Sequence, residues 1–339
     1  FVLNCILVVA IALTGINSVK AQVALNYVYS ESAITAPAYT PLTLATKSQI
    51  FTGAWNDEAP VAVTIPFPFY FNGVLQSQAY VSPNGYITFG VAASNTNYKP
   101  IQSTENYFGA ISAYGNNLQV TTGVLSSGIP QNSVSSFHDT SGGAGNGVFI
   151  IEWRQFRRDS VTTDDTSNLM SMQIWLRENG SVIEVKFGSN STFSTATASG
   201  QLGLRGSSNQ DFNARKWMPT TSANWPTPPA TTIIATLNDD VMLTRNNITI
   251  PTASVRNFTW TPRPCLVPTS IAVSSIFSTT ATVTWVAPGP GTPTGYQYEV
   301  RTGGAAGSGP VGLAQSGSSS SPLNLTGLTA GTNYTVYIR

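Results

Sequence analysis

The chain holds a single histidine, His138, two residues after Ser136 and one before Asp139. A nucleophilic triad needs serine, imidazole and carboxylate in mutual contact. Neighbours in an extended chain point to opposite sides, which places Asp139 badly for orienting His138. The stretch leads into Ser141-Gly142-Gly143-Ala144-Gly145 and reads as a loop, so a triad is disfavoured. A zinc centre built on several histidines is excluded by the count. Glu152 and Glu184 sit in strand-like stretches and could face one cleft as the acid and base of a glycosidase. The favoured alternative pairs each with the base two residues along on the same face, Arg154 and Lys186. No cofactor is called for, and calcium is the more plausible metal. Asn56-Asp57-Glu58 and Asp164-Asp165 gather the oxygen ligands it takes in extracellular modules, with Asp57, Glu58, Asp164 and Asp165 as the candidates. Neither stretch has EF-hand spacing, and solvated turn acids are the favoured reading.

Sugar binding would use an exposed aromatic ring with amides beside it. Trp55, Trp175, Trp217 and Trp225 are candidates. Trp175 has the best case, because Gln173 and Arg177 flank it on the same face of a strand. A reading of equal weight packs that ring under a loop or against the second unit. The Gly-rich stretch 303–309 neither follows a strand nor opens a helix, so no phosphate loop is implied.

The elements that must carry these residues are strands. No stretch after Gln22 sustains a 3.6-residue apolar period, while period-2 alternation recurs between turn residues. The clearest unit is 171–188. Ile174 and Leu176 point one way, and Gln173, Trp175 and Arg177 the other. Asn179-Gly180 reverses the chain, and Ile183, Val185 and Phe187 then alternate with Glu184 and Lys186. The polar set forms a partly solvated face with cross-strand pairs. The stretch 67–90 is aromatic-rich and broken by Asn72-Gly73 and Asn84-Gly85. In 148–156 a strand carries Phe149, Ile151 and Trp153 on one face, and 231–260 holds two or three more short strands.

Composition narrows the class. Of 339 residues 41% are apolar and only 9% charged, so the surface is made of uncharged polar residues. The net charge is +1 with no basic run, which argues against nucleic acid and electrostatic membrane docking. Val2 to Thr14 is apolar and uncharged, and Val19-Lys20-Ala21 suits a signal-peptidase site before Gln22. Residues 1–21 therefore read as a secretory signal, too short to span a bilayer comfortably. No later stretch is long and apolar enough to be transmembrane. Removal of Cys5 with the signal leaves Cys265 alone, and an unpaired cysteine in an exported protein asks for a partner.

The fold expected is all-β, with two sandwiches in series: residues 22–260, a Pro-rich linker at 261–267, and a second unit at 268–339. In the second unit 268–276, 281–285 and 295–301 read as strands, with Val283 and Trp285 facing inward. Residues 303–321 read as a Gly/Ser loop. Leu328 to Tyr334 has the layout of a tyrosine corner.

From Cys265 onward the chain resembles a fibronectin type III domain, carried by Trp285, Tyr296, Tyr298, Leu328, Tyr334, Val336 and Ile338. The resemblance implies one further strand after Arg339, and a disulfide from Cys265 to a cysteine beyond it. The first unit resembles the nidogen-like sandwich of secreted Bacteroidetes proteins. The residues that carry this are Ile65 to Gly73, Val81 to Gly90, Val148 to Trp153 and Gly203 to Gly206. Relatives carry acidic residues after an Ala-aromatic step, whereas Ala113-Tyr114-Gly115-Asn116-Asn117 lacks them. Such proteins commonly end in a type 9 sorting domain. The implied role is an exported, non-catalytic binding, adhesion or structural module of the cell surface or extracellular space, with a glycan or protein as partner. The alternative is a carrier module of a secreted hydrolase whose catalytic domain lies elsewhere.

Overall fold

The computed structural model describes residues 23–34, 39–43, 47–51, 55–120, 133–158, 170–188, 192–193, 200–215, 248–249, 255–263, 268–287, 295–303 and 313–338. The signal segment, Cys265, Asp164, Asp165, Trp217, Trp225 and most of 231–254 lie outside them. No helix among the described residues is long and apolar enough to cross a membrane. The chain separates into two compact units that divide between Pro264 and Cys265.

The first unit opens with a single helical turn, α1 (Val23–Asn26), and β1 (Tyr27–Ile34). Then come β2 (Ser48–Phe51), β3 (Trp55–Asn56), β4 (Val61–Phe71), β5 (Val74–Ser82), β6 (Tyr86–Phe89), β7 (Gly109–Gly115) and β8 (Leu118–Val120). The central strands are β9 (Ser133–Asp139), β10 (Val148–Arg158), β11 (Met170–Arg177) and β12 (Ile183–Phe187). After them run β13 (Thr192–Phe193), β14 (Gln201–Arg205), β15 (Phe212–Arg215), β16 (Ile248–Thr249) and β17 (Val255–Pro262). One sheet runs β1-β17-β12-β11-β10-β9-β2, with β8 and β3 joined at the far end of β10. The facing sheet runs β15-β14-β7-β6-β5-β4.

The core lies between these sheets and follows from alternation. In β10 Phe149, Ile151 and Trp153 face inward. In β11 and β12 the inward residues are Met172, Ile174, Leu176, Ile183, Val185 and Phe187. They meet Ile65, Phe67, Phe69, Phe71, Val81, Ile87 and Phe89 of the other sheet. Each such side chain contributes roughly 1.5–3 kcal/mol on burial. Trp153 also ties the layers together, donating Nε1–H to the Ser82 carbonyl at 2.9 Å. The Asn72-Gly73 turn has φ of 52° and 80°, the conformation of a two-residue hairpin loop.

The segment 136–139, read from sequence as a loop, is the end of strand β9, paired along β10; the Gly-rich loop starts at Thr140. Because β10 supplies a ladder partner for every residue of β9, local polarity does not decide the outcome.

The second unit has sheets β18 (Thr269–Ser274), β19 (Ala281–Val286), β22 (Leu323–Leu325) and β21 (Leu313–Ser319), β20 (Tyr296–Arg301), β23 (Thr335–Ile338). Its core holds Val283, Trp285, Tyr296, Val300, Leu323 and Leu325, with Trp285 and Tyr296 edge to face at 5.2 Å. The Tyr334 hydroxyl accepts the Thr329 N–H at 2.9 Å, which closes the tyrosine corner. Much of the 303–321 stretch expected as loop is strand β21, because β20 presents a full ladder edge that Gly and Ser can pair with.

Candidate functional site

The densest polar arrangement among the described residues lies on the outer face of the first sheet. The register sets Glu152 opposite Gln173 and Gln173 opposite Lys186, with Ile150, Trp175 and Glu184 in the next row. Residues 39–43 lie across this face. Tyr39 donates its hydroxyl to Glu152 Oε1 at 2.7 Å, and the Leu42 N–H donates to both oxygens of the same carboxylate. Gln173 donates Nε2–H to the Thr40 carbonyl at 2.9 Å and to Glu152 Oε1 at 3.0 Å. The Arg154 guanidinium reaches the Leu42 carbonyl at 3.5 Å. The Leu42 side chain seats in a cluster with Val148 and Ile150, against Phe137 and Trp175.

Beyond this strap the network continues through side chains. Trp175 donates its indole N–H to Gln173 Oε1 at 2.8 Å. Lys186 Nζ stands 3.3 Å from the centre of the Trp175 ring, and the Arg177 guanidinium 5.4 Å from it. Arg177 grips Glu184 with two bonds of 2.6 and 3.1 Å, and Lys186 adds a third at 3.1 Å. The face expected to be partly solvated is solvated only at Trp175 and Arg177, which are half-buried; Glu152 and Gln173 are 0% exposed, Glu184 7% and Lys186 6%.

Burial raises the Glu184 pKa, but the bonds and charges of Arg177 and Lys186 outweigh it and hold the carboxyl below its usual range. Lys186 moves down as well. Burial pulls it down, the bonded Glu184 carboxylate offsets part of that, and the nearby Arg177 charge adds to the lowering. Burial, reinforced by the neighbouring Glu152 charge, pushes the Tyr39 phenol well above its ordinary value.

The structure places the sequence candidates as follows. Gln173, Trp175 and Arg177 come together as expected, but Gln173 is sealed and the indole is partly buried beside the strap. Lys186 over the ring and Leu42 beside it leave an edge rather than an open platform. Glu184 pairs with Lys186 as expected; Glu152 does not pair with Arg154 and is satisfied by neutral donors instead, because the strap brings an N–H and a hydroxyl to it. Each carboxylate has its own partner set, with the strand carrying Gln173 and Trp175 between them, so the two do not form an acid and base pair across a cleft. Asp139 accepts the Ser141 N–H at 2.9 Å, closing its own turn, while His138 packs on Phe67. Asp57 accepts the Tyr98 hydroxyl at 2.9 Å through Oδ2; its Oδ1 is buried without a hydrogen bond, and Glu58 is exposed. No group of three or more His, Cys, Asp or Glu among the described residues is placed to hold a metal.

Tyr39, Leu42 and the stacking role of Lys186 had no signal in the sequence. Tyr39 and Leu42 lie more than a hundred residues from the glutamate they bind, and only the Pro41-bearing, strand-free stretch around them hints at a segment free to lie across a sheet.

Residues 26–262, well over half of the chain, match the family model described as NIDO related. The chain belongs to the NIDO-related family. Residues 266–339 match the fibronectin type III domain model. No curated protein matches. NIDO-related and fibronectin type III domains are typical non-catalytic modules, consistent with a binding or structural role, and are commonly extracellular.

Proposed function

We propose that this chain is an exported, non-catalytic module protein of the cell surface or extracellular space, which adheres to a glycan or to another protein. The observation that carries the reading is the succession of a NIDO-related and a fibronectin type III domain in one chain. The site chemistry supports it. Glu152, Glu184 and Asp139, the carboxylates from which a catalytic set could be built, are each consumed in holding backbone or balancing cations. The uncharged polar surface suits hydrogen bonding to hydroxyl-rich partners. The half-buried edge of Trp175 and Arg177 is the proposed contact, and Asp57 a proposed calcium ligand, through its buried Oδ1.

The test is a glycan array and polysaccharide pull-down with the mature chain, 22–339, with and without calcium. Saturable binding that is lost in a folded Trp175→Ala variant supports the reading and its site. Binding that survives Trp175→Ala keeps the function and moves the site. No binding to any glycan or extracellular matrix protein, with or without calcium, overturns the adhesive reading.

A further inference from the structure

Lys186 and Asn257 stand directly opposite each other in the ladder of β12 and β17. Opposed residues of an antiparallel pair project to the same face, with Cβ atoms about 4.5–5.5 Å apart. Their neighbours Phe187 and Phe258 fill the core, so Lys186 and Asn257 project to the outer face. Both are sealed there, at 6% and 8% exposure. The Asn257 Oδ1 is buried without a hydrogen bond. A sealed amide carbonyl with no donor costs stability and calls for a reason.

The environment of Lys186 prepares it as a nucleophile. Its Nζ bonds Glu184 Oε2 at 3.1 Å and stands 3.3 Å from the centre of the Trp175 ring. Arg177 holds the same carboxylate with two bonds, so two cations share one buried anion. Loss of a proton from Lys186 removes that excess charge, and burial lowers its pKa in the same direction. Desolvation and a second cation are the means by which a lysine amine becomes nucleophilic. Glu184, in contact with Nζ, is the group placed to take the proton and hand it on.

We propose that Lys186 and Asn257 join in an intramolecular amide bond, with Glu184 as proton carrier, so that β12 and β17 are covalently stapled. The Lys186 ammonium passes a proton to Glu184, and the free amine attacks Asn257 Cγ. The new C–N bond forms as the C–N bond of the side-chain amide breaks, and Glu184 returns its proton to the departing –NH2. Of the three ammonium protons one stays on the new amide nitrogen, and two leave with the –NH2 as ammonium. Nothing is oxidised or reduced, and no co-reactant enters. The product is neutral and leaves Arg177 and Glu184 as a balanced pair. The link closes the chain between Lys186 and Asn257 into a ring, which restricts the unfolded state. β17 is also the last strand before the division between Pro264 and Cys265. A pull along the chain from the second unit reaches β17 first, and the staple keeps it from peeling off β12.

The test is mass spectrometry of the purified mature chain, 22–339. After correction for the substitutions, the wild type is expected to be lighter than Lys186→Arg and Asn257→Ala by one ammonia. Cyclisation of Gln22 also loses ammonia, but equally in all three proteins. In a tryptic digest of the wild type Lys186 should resist cleavage, and one branched peptide should hold both Lys186 and Asn257. Glu184→Gln, kept for the same time, should hold at least tenfold less of that peptide. A folded wild type with the corrected mass of both variants, and with Lys186 cleaved by trypsin, overturns the proposal. Where a variant does not fold, the wild-type digest decides alone. An equal yield of branched peptide in Glu184→Gln overturns the part assigned to Glu184.

Discussion

Glu152 shows how much one side chain can decide. It is fully buried, yet its partners are a phenol, a backbone N–H and an amide rather than a cation. Replacing it by alanine strands the Leu42 N–H and the Gln173 amide, and is expected to cost about 2–3 kcal/mol in urea unfolding. Trp175 emission should shift to the red as the strap loosens. Glu184 behaves differently, because its pKa is depressed. A depressed carboxyl stabilises the fold fully above its unfolded value, near 4.5, and that contribution is lost as pH falls through the lower folded value. The melting temperature of the wild type should therefore fall more steeply below pH 4.5 than that of Glu184→Gln. Parallel slopes for the two proteins would remove Glu184 from the acid response. The sequence told which residues share this face; it did not tell that Glu152 and Gln173 are sealed on it, since the sealing residues come from a distant segment.

At the scale of elements, strand edges and close approaches set the limits. β4 pairs with β5 alone among the described residues and carries Pro66 and Pro68 on its exposed side. Proline lacks the ladder N–H, so an edge is where it belongs, and it blunts that edge against further pairing. Gly203 has φ of 146°, and a Cβ there would lie 2.4 Å from the Ala214 Cα of the neighbouring strand. Gly203→Ala must push β14 from β15, and a loss of about 2–3 kcal/mol in thermal unfolding is expected. Arg205 is 1% exposed; it stacks on Tyr107 at 4.0 Å and donates to the Pro100 and Glu105 carbonyls. It pins the excursion between β6 and β7 to the sheet. Arg205→Met should raise hydrogen exchange in residues 91–108 while leaving β10 to β12 protected. Equal exchange throughout the sandwich would contradict that role. The alternation in β10 to β12 was legible because one face is apolar. Strand β21 was not, because Gly and Ser acquire strand conformation from the partner beside them rather than from their own preference.

For the whole molecule, 16 basic and 15 acidic residues in a chain that is 9% charged leave little long-range field. Adhesion through hydroxyls and amides should then change by less than about twofold between low and high salt, whereas phosphate or sulfate recognition would lose affinity steeply. A salt titration of whichever ligand the array finds checks this. Period-2 patterning, the Asn-Gly turns and the tyrosine-corner layout of Leu328 to Tyr334 were enough by themselves to point to an all-β chain of two successive sandwiches, because those signals are local. Only the tertiary structure decided what the polar face does. Residues 39–42 reach Glu152 and Gln173 across a large gap in sequence, and hydrogen bonds between such segments depend on where the sheet carries them, which no local pattern records.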